Sequence, residues 1–342
     1  MSIQSRKEEH VNLALSGKAT FREKSNGFDR YEFVYNALPE IDLADVETRT
    51  EFCGMALQSP LLVTGMTGGY PDAERINKGL AEACETCGIA MGVGSMRAAL
   101  EHRELESTFA VVRDVSNRVP IIANIGAAQA AVWHREGSLH SYVERAVAMT
   151  GASALAVHLN PLQELLQPEG EPRFRGVLDA IATLVRSEQI AIVVKEVGAG
   201  ISGDVARRLA DVGVTMIDVA GAGGTSWAGV EILRRSDAET VDHLWDVGIP
   251  TAECITQCVG IVPTIIASGG ISNGTEVAKA VALGARLVGS ARPILEAFAA
   301  DGTKGVVALV RLWELQLRQW MFLTGCQHLN DLHRPTILHR LQ

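Results

Sequence analysis

Residues 154–164 read ALAVHLNPLQE, and four of their side chains can bind a ligand or handle a proton: His158, Asn160, Gln163 and Glu164. The apolar run Ala154 to Val157 leads into them and stops. Buried polar groups cost free energy unless paired, so a strand ending in such a cluster should be delivering it to a site. The segment also fits a helix start, with Asn160 as cap and Pro161 in the first turn, and the two readings are compatible. Glu164 is the best single metal-ligand candidate. One carboxylate completed by phosphate oxygens and water is the usual Mg2+ arrangement.

Other chemistry is spread along the chain. Lys195 ends an apolar run (IAIVVKEV), where a cation needs an anionic partner or a suppressed charge. A cofactor with phosphate and an electron-rich ring would suit it, and so would a structural salt bridge to Glu196 or a neighbour. Ser268-Gly269-Gly270 and Gly289-Ser290-Ala291 each follow an apolar run. Glycine lets a backbone approach a phosphate closely, although each segment alone would also serve as a tight turn. Near the N-terminus, Arg6, Lys7 and His10 lie within RKEEH. Such a run is usually solvated, yet with Arg97 it could clamp phosphate on an otherwise acidic chain. Cys84 and Cys87 are spaced CxxC without a second pair, which argues against a zinc site. HExxH is absent.

These groups require elements that bring them together. From residue 60 onward one rhythm repeats: a short apolar strand, a glycine or polar end, then a helical pattern. Strands are expected at 60–65, 89–95, 120–126, 154–160, 190–197, 214–221, 263–270 and 286–292. Their continuous apolar cores suit strands buried on both faces. Helical patterns fall at 72–87, 139–150, 175–186, 204–212, 275–283 and 306–323. Ser202 is placed as an N-cap and Gly284 as a helix stop. Eight such units in series predict an α/β fold, a closed (β/α)8 TIM barrel. An open doubly wound sheet is the alternative, but it would more often carry GxGxxG after an early strand, and none follows one here. Residues 1–55 are expected to form an N-terminal arm or cap, and 56–342 the barrel. Residues 222–249 form a long insertion between strands six and seven, expected to act as a lid. In a barrel the site gathers at the C-terminal strand ends, and the groups above all fall there or on the arm.

Composition bounds the classes. The 342 residues are 47% hydrophobic and 21% charged, an ordinary globular balance. A net charge of −9 argues against a general nucleic-acid binder but leaves room for a small phosphate ligand. No apolar stretch reaches the length of a membrane span, and the polar start SIQSRKEEH carries no secretory pattern, so a cytoplasmic protein with free thiols is expected.

At the level of motifs, the chain resembles the type 2 isopentenyl diphosphate isomerases, FMN-dependent enzymes of isoprenoid biosynthesis. The match runs from RKEEHVNLAL through GFDRYEFVYNALPEI, GMTGG, GVGSMR, ANIGAAQ, HLNPLQE, VKEVGAGIS, AGAGGTSW and ASGGI to LTGC, in order along essentially the whole chain. HLNPLQE and GAGGTSW are specific to the family; the SGG and GSA blocks are shared among FMN barrels. The resemblance implies that Met66, Thr67, Gly68, Ser95, Asn124, Lys195 and Thr225 line FMN. It implies that Gly269, Gly270, Ser290 and Ala291 hold the cofactor's phosphate. Arg6, Lys7, His10 and Arg97 would grip a diphosphate substrate, with Ser95 and Met96 beside it. His158, Asn160 and Gln163 would face the substrate, and Glu164 would bind Mg2+. NADPH would serve only to reduce the flavin, and a homotetramer or larger assembly is implied, with the arm able to reach a neighbour's site. Two positions depart from the family pattern: Met96 stands where GSQR is usual, and Ala199 stands where a bulky aromatic is usual. A thioether cannot donate as an amide does, so substrate preference could differ. Two rival functions follow from the same fold: a 2-hydroxyacid oxidase or dehydrogenase, and a non-catalytic phospholigand-binding protein.

Overall fold

The computed structural model describes residues 3–115 and 117–341. No candidate site residue lies outside them. The eight expected strands all form: β1 (Leu61–Val63), β2 (Ala90–Gly92), β3 (Ile121–Gly126), β4 (Ala154–His158), β5 (Ala191–Lys195), β6 (Met216–Asp218), β7 (Thr264–Ala267) and β8 (Leu287–Ser290). They pair in parallel, each with its chain neighbour, and β8 closes on β1 through Ser290 opposite Val63. This excludes the open sheet. Successive side chains on a strand point to opposite faces. Leu62, Ala90, Ile122, Ala154, Ala156, Val193, Ile266 and Leu287 accordingly fill the barrel. Leu61, Val63, Met91, Leu155, Val157, Val194 and Val288 belong to the outer layer packed against helices.

The helices form where periodicity places them, including Ala73–Cys87, Leu139–Thr150, Gly203–Asp211 and Gly274–Ala282. Ser202 Oγ accepts the N–H of Val205, so it caps as expected. The last helix begins earlier than expected, at Arg292 directly after β8, and runs to Leu323 with a break at Asp301 and Gly302. Gly302 has φ +57°, a left-handed backbone that glycine adopts without strain.

Residues 3–57 wrap around the barrel. Helix Ile3–Leu15 lies at the C-terminal strand ends, and Tyr31–Phe33 pairs with Leu338–Arg340 near the other terminus. The hairpin of Thr50–Phe52 and Met55–Leu57 inserts Phe52 and Leu57 into the barrel interior at its N-terminal end. That hairpin spans residue 55, where the arm was expected to end. The insertion between β6 and β7 is a packed element: helix Trp227–Leu233 sets Ala228 and Ile232 against Trp245 and Leu166.

Candidate active site

Four strand ends assemble the floor of one cavity. His158, the last residue of β4, brings Nδ1 to 2.8 Å from Asn124 Oδ1 on β3. Asn124 Nδ2 donates to the carbonyl of Val93 at 3.0 Å, which fixes the amide and leaves its oxygen for histidine. His158 Nδ1 therefore carries the proton and Nε2 keeps its lone pair. Burial, then the charges of Lys195 and Lys7, pushes His158 down to about 3. It is a neutral polar group at physiological pH.

Register sets Lys195 of β5 opposite both His158 and Asp218. Lys195 Nζ donates to the carbonyl of Glu196 and stands 3.9 Å from Asp218 Oδ2. The Glu196 carboxylate turns away from Lys195: its Oε2 accepts the N–H groups of Val197, Gly198 and Ala199 at 2.7, 2.7 and 2.5 Å. The anionic partner of Lys195 is thus Asp218, not the adjacent Glu196. Burial pushes the Asp218 carboxyl up, opposed by Lys195 and by the Ser268 hydroxyl, which donates to Oδ1 at 2.6 Å.

The arm supplies the roof. Lys7 Nζ donates to the carbonyls of Gly68 at 2.6 Å and Ser95 at 2.8 Å. Burial, then the neighbouring Arg6, lowers it to about 7. His10 Nε2 lies 3.0 Å from Glu231 Oε1, off the line of a hydrogen bond, and its ring stands edge-on to Trp227. Gln163 Nε2 donates to the same Glu231 oxygen at 3.0 Å. Burial alone would raise the Glu231 carboxyl, but His10, Gln163 and Arg234 hold it below the usual range. Glu231 was not among the sequence candidates; its only signal is a lone carboxylate inside the apolar helix WAGVEIL with an arginine three residues on.

One end of the cavity is backbone. Gly269 (φ +105°) and Gly270 (φ +73°) press against Gly221 to Gly224 of the preceding loop. A Cβ on Gly269 would fall 2.1 Å from the Gly221 carbonyl oxygen, and one on Gly270 2.6 Å from Gly223. Ser290 and Ala291 complete this end, where the helix starting at Arg292 presents its unpaired first-turn N–H groups. The cavity holds about 250 Å³ and is also lined by Met66, Thr67, Ser95 and Thr225. A glycine cradle for a phosphate, with a cation and a fixed amide beyond it, fits FMN.

The structure brings most of the candidates to this wall and moves some off it. Met96 is fully buried in the outer apolar layer, so it faces neither cofactor nor substrate; only its N–H, bonded to the Asn124 carbonyl, supports the site. Gly68 contributes its carbonyl to Lys7, and the Phe109 ring occupies the space where a side chain would go. Asn160 stands behind Gln163, donating to its Oε1 at 3.1 Å and to Glu164 Oε1 at 3.2 Å; it holds the N-cap position of the helix Pro161–Leu166, with Pro161 in the first turn as expected, but its side chain makes no cap hydrogen bond. Glu164 Oε2 accepts the Glu171 N–H. Arg97 pairs with Glu101 at 2.8 Å, outside the cavity wall. Arg6 is half-buried among Glu169, Glu231, Arg234 and Arg97.

A family model described as FMN-dependent dehydrogenase matches residues 2–161 and 174–339. The isopentenyl-diphosphate delta-isomerase of Methanothermobacter thermautotrophicus is 43% identical, the alignment covering 98% of this chain and 93% of that one. The enzyme of the same name from Pseudescherichia vulneris is 45% identical over 97% and 96% of the two chains. Among solved structures, the flavin-binding domain of baker's yeast flavocytochrome b2 superposes with a TM-score of 0.70 at 16% identity, over 98% of this chain and 90% of that one. A mandelate oxidase superposes at 0.65 with 20% identity, over 98% and 97%. At those identities the structural likeness establishes the barrel alone.

Proposed function

The chain belongs to the isopentenyl-diphosphate delta-isomerase family, on the FMN-dependent dehydrogenase barrel, and on that premise we propose that it converts isopentenyl diphosphate to dimethylallyl diphosphate. The observation that carries the reading is the chemistry of the cavity wall. It joins a backbone phosphate cradle to polar groups that include no carboxylate pair suited to protonating an alkene. The reaction adds a proton at C4 and removes one at C2, and an unactivated alkene is a poor base. Bound in reduced form, FMN would supply that acid–base chemistry without net redox change.

The protein's part is to bind and orient. Gly269, Gly270, Ser290 and Ala291 would hold the cofactor's phosphate, and Met66, Thr67, Ser95, Asn124, Lys195 and Thr225 its ring. Lys7 and His10, with Arg6 and Arg97 behind them, would meet the diphosphate. Gln163, aimed by Asn160 and Glu231, and neutral His158 would set the alkene's position. Glu164 would bind Mg2+ together with diphosphate oxygens; its environment offers one carboxylate, and no group of three metal-binding side chains occurs among the described residues. NADPH or a chemical reductant would prime the flavin. Assembly as a homotetramer or larger and a cytoplasmic setting belong to the same proposal. No helix among the described residues is long and apolar enough to cross a membrane.

The test is turnover of isopentenyl diphosphate by the FMN-loaded protein, reduced and supplied with Mg2+. Absence of dimethylallyl diphosphate under those conditions would overturn the proposal. Glu164→Gln is expected to lose activity that excess Mg2+ does not restore, and full wild-type activity in a chelator would remove the metal's role. Net flavin reduction by lactate or mandelate would instead favour the 2-hydroxyacid reading, which rests on the barrel's likeness and on Arg292. That arginine lines the cavity but also pairs with Glu296 at 3.5 Å.

A further inference from the structure

Arg234 is a buried arginine that no sequence motif singles out and that does not line the cavity. Its side chain is 2% exposed and holds carboxylates from three separate segments. Nε donates to Glu9 on the arm helix at 2.9 Å, and Nη1 to Glu231 on the insertion helix at 2.5 Å. Nη2 reaches Glu169, in the loop after the helix Pro161–Leu166, at 3.3 Å. We propose that Arg234 is a positioning residue, a clasp that fixes the arm across the cavity mouth and so places Lys7 and His10. The role in diphosphate binding rests on the function proposed above; the clasp itself does not.

The argument is geometric. A planar guanidinium offers five N–H donors in a rigid fork, so one side chain can serve three carboxylates at once; a lysine ammonium is a point charge on a flexible stem. The burial of that cation is sustained because all three partners are anions and Glu9 and Glu169 are only partly exposed. Within the arm helix Ile3–Leu15 the other polar anchors near the site are Lys7 on two carbonyls and His10 against Glu231 and Trp227, while the stretch after it is tied separately, through Ala19, Phe21 and Asn26 to Ser226, Gly224 and Gly270. Glu231 links the two ends of the device. Its Oε2 is committed to Arg234, which leaves Oε1 for His10 and Gln163. Glu9 stands one residue from His10 and two from Lys7, so a fixed Glu9 fixes the helical turn that carries both.

The test uses the full-length FMN-loaded protein and compares wild type with Glu9→Ala, Arg234→Met and Arg234→Lys. Alanine is the better helix former, so Glu9→Ala removes the clasp without weakening the helix itself. Amide hydrogen exchange over residues 3–15, measured without substrate, is expected to rise on the order of tenfold in Glu9→Ala and Arg234→Met. Arg234→Lys should not restore protection, and the double variant should be no looser than Arg234→Met. KM for isopentenyl diphosphate should rise by a similar factor in Glu9→Ala, while kcat and flavin content stay at the wild-type level. A merely structural role would move exchange across the barrel strands and flavin retention as well. Unchanged arm exchange in Glu9→Ala would overturn the clasp, and looser exchange with unchanged KM would overturn its positioning role. If Arg234→Met does not fold, Glu9→Ala still decides. If the wild type does not turn over isopentenyl diphosphate, the proposed function fails while the exchange comparison still tests the clasp.

Discussion

At the scale of single residues, the site combines cations that burial weakens with a histidine that burial keeps neutral. Lys7 sits at about 7, below the ordinary lysine range, so its ammonium form prevails only below that pH in the free protein. Capture of a diphosphate should therefore weaken as pH rises through about 7. A pH profile of kcat/KM for isopentenyl diphosphate is expected to fall there, and Lys7→Arg should remove that limb because arginine does not titrate. His158 carries an opposite protonation cost into stability. Its folded value is about 3, against about 6.5 for a free histidine, so between those values the unfolded chain takes up a proton that the folded protein refuses. Stability is thus lost as pH falls through that window. Denaturant midpoints should drop between pH values of about 7 and 4, and the drop should be smaller in His158→Gln. His158 and Gln163 were legible because they follow an apolar run. Glu231 and Arg234 were not, because charges in a loop insertion ordinarily face water, and only the folded chain buries them together.

At the scale of elements, the phosphate cradle depends on two loops that touch backbone to backbone. Gly269 and Gly270, and Gly221, Gly223 and Gly224 facing them, leave no space for a Cβ, and both glycines after β7 have positive φ. Gly269→Ala should strain the loop by about 1–3 kcal/mol and push it into its neighbour. The purified variant is expected to lose most of its flavin at a protein concentration that saturates wild type, measured by flavin absorbance per chain. Retention of a full complement would show that the cradle tolerates displacement. This element was legible because paired glycine ends on the last two strands form a recognisable pattern. The arm was legible only as something outside the barrel rhythm. Its landing place is set by Lys7 bonding to the carbonyls of Gly68 and Ser95, acceptors that every residue type carries and that leave no mark in a sequence. Met96 shows the same limit: the GSMR motif is polar on both sides, yet the turn it makes sends this side chain into the outer core.

At the scale of the whole molecule, the barrel divides its labour along its axis. Polar strand ends gather at one mouth, while the other is sealed by the hairpin that places Phe52 and Leu57 among Leu62, Ala90, Ile122 and Ala154. The closed barrel was legible because eight buried strands leave eight continuous apolar runs. The plug was not, since TEFCGMAL is too short and mixed to distinguish an inserted hairpin from a surface loop. The plug's anchors lie at the sealed end: Met55 Sδ accepts the Ser153 hydroxyl just before β4, and the Gln58 N–H donates to the Gly88 carbonyl ahead of β2. Stability and chemistry should therefore be separable. Phe52→Ala removes a side chain that is 3% exposed and is expected to cost about 3–5 kcal/mol, read as a lower denaturant midpoint with an unchanged slope. Flavin affinity and KM should remain at wild-type values in the folded fraction, because no cavity-lining group rests on Phe52. A parallel loss of flavin affinity would mean that the interior side chains transmit strain along the strands to Asn124, His158 and Lys195, and that the two ends work as one unit.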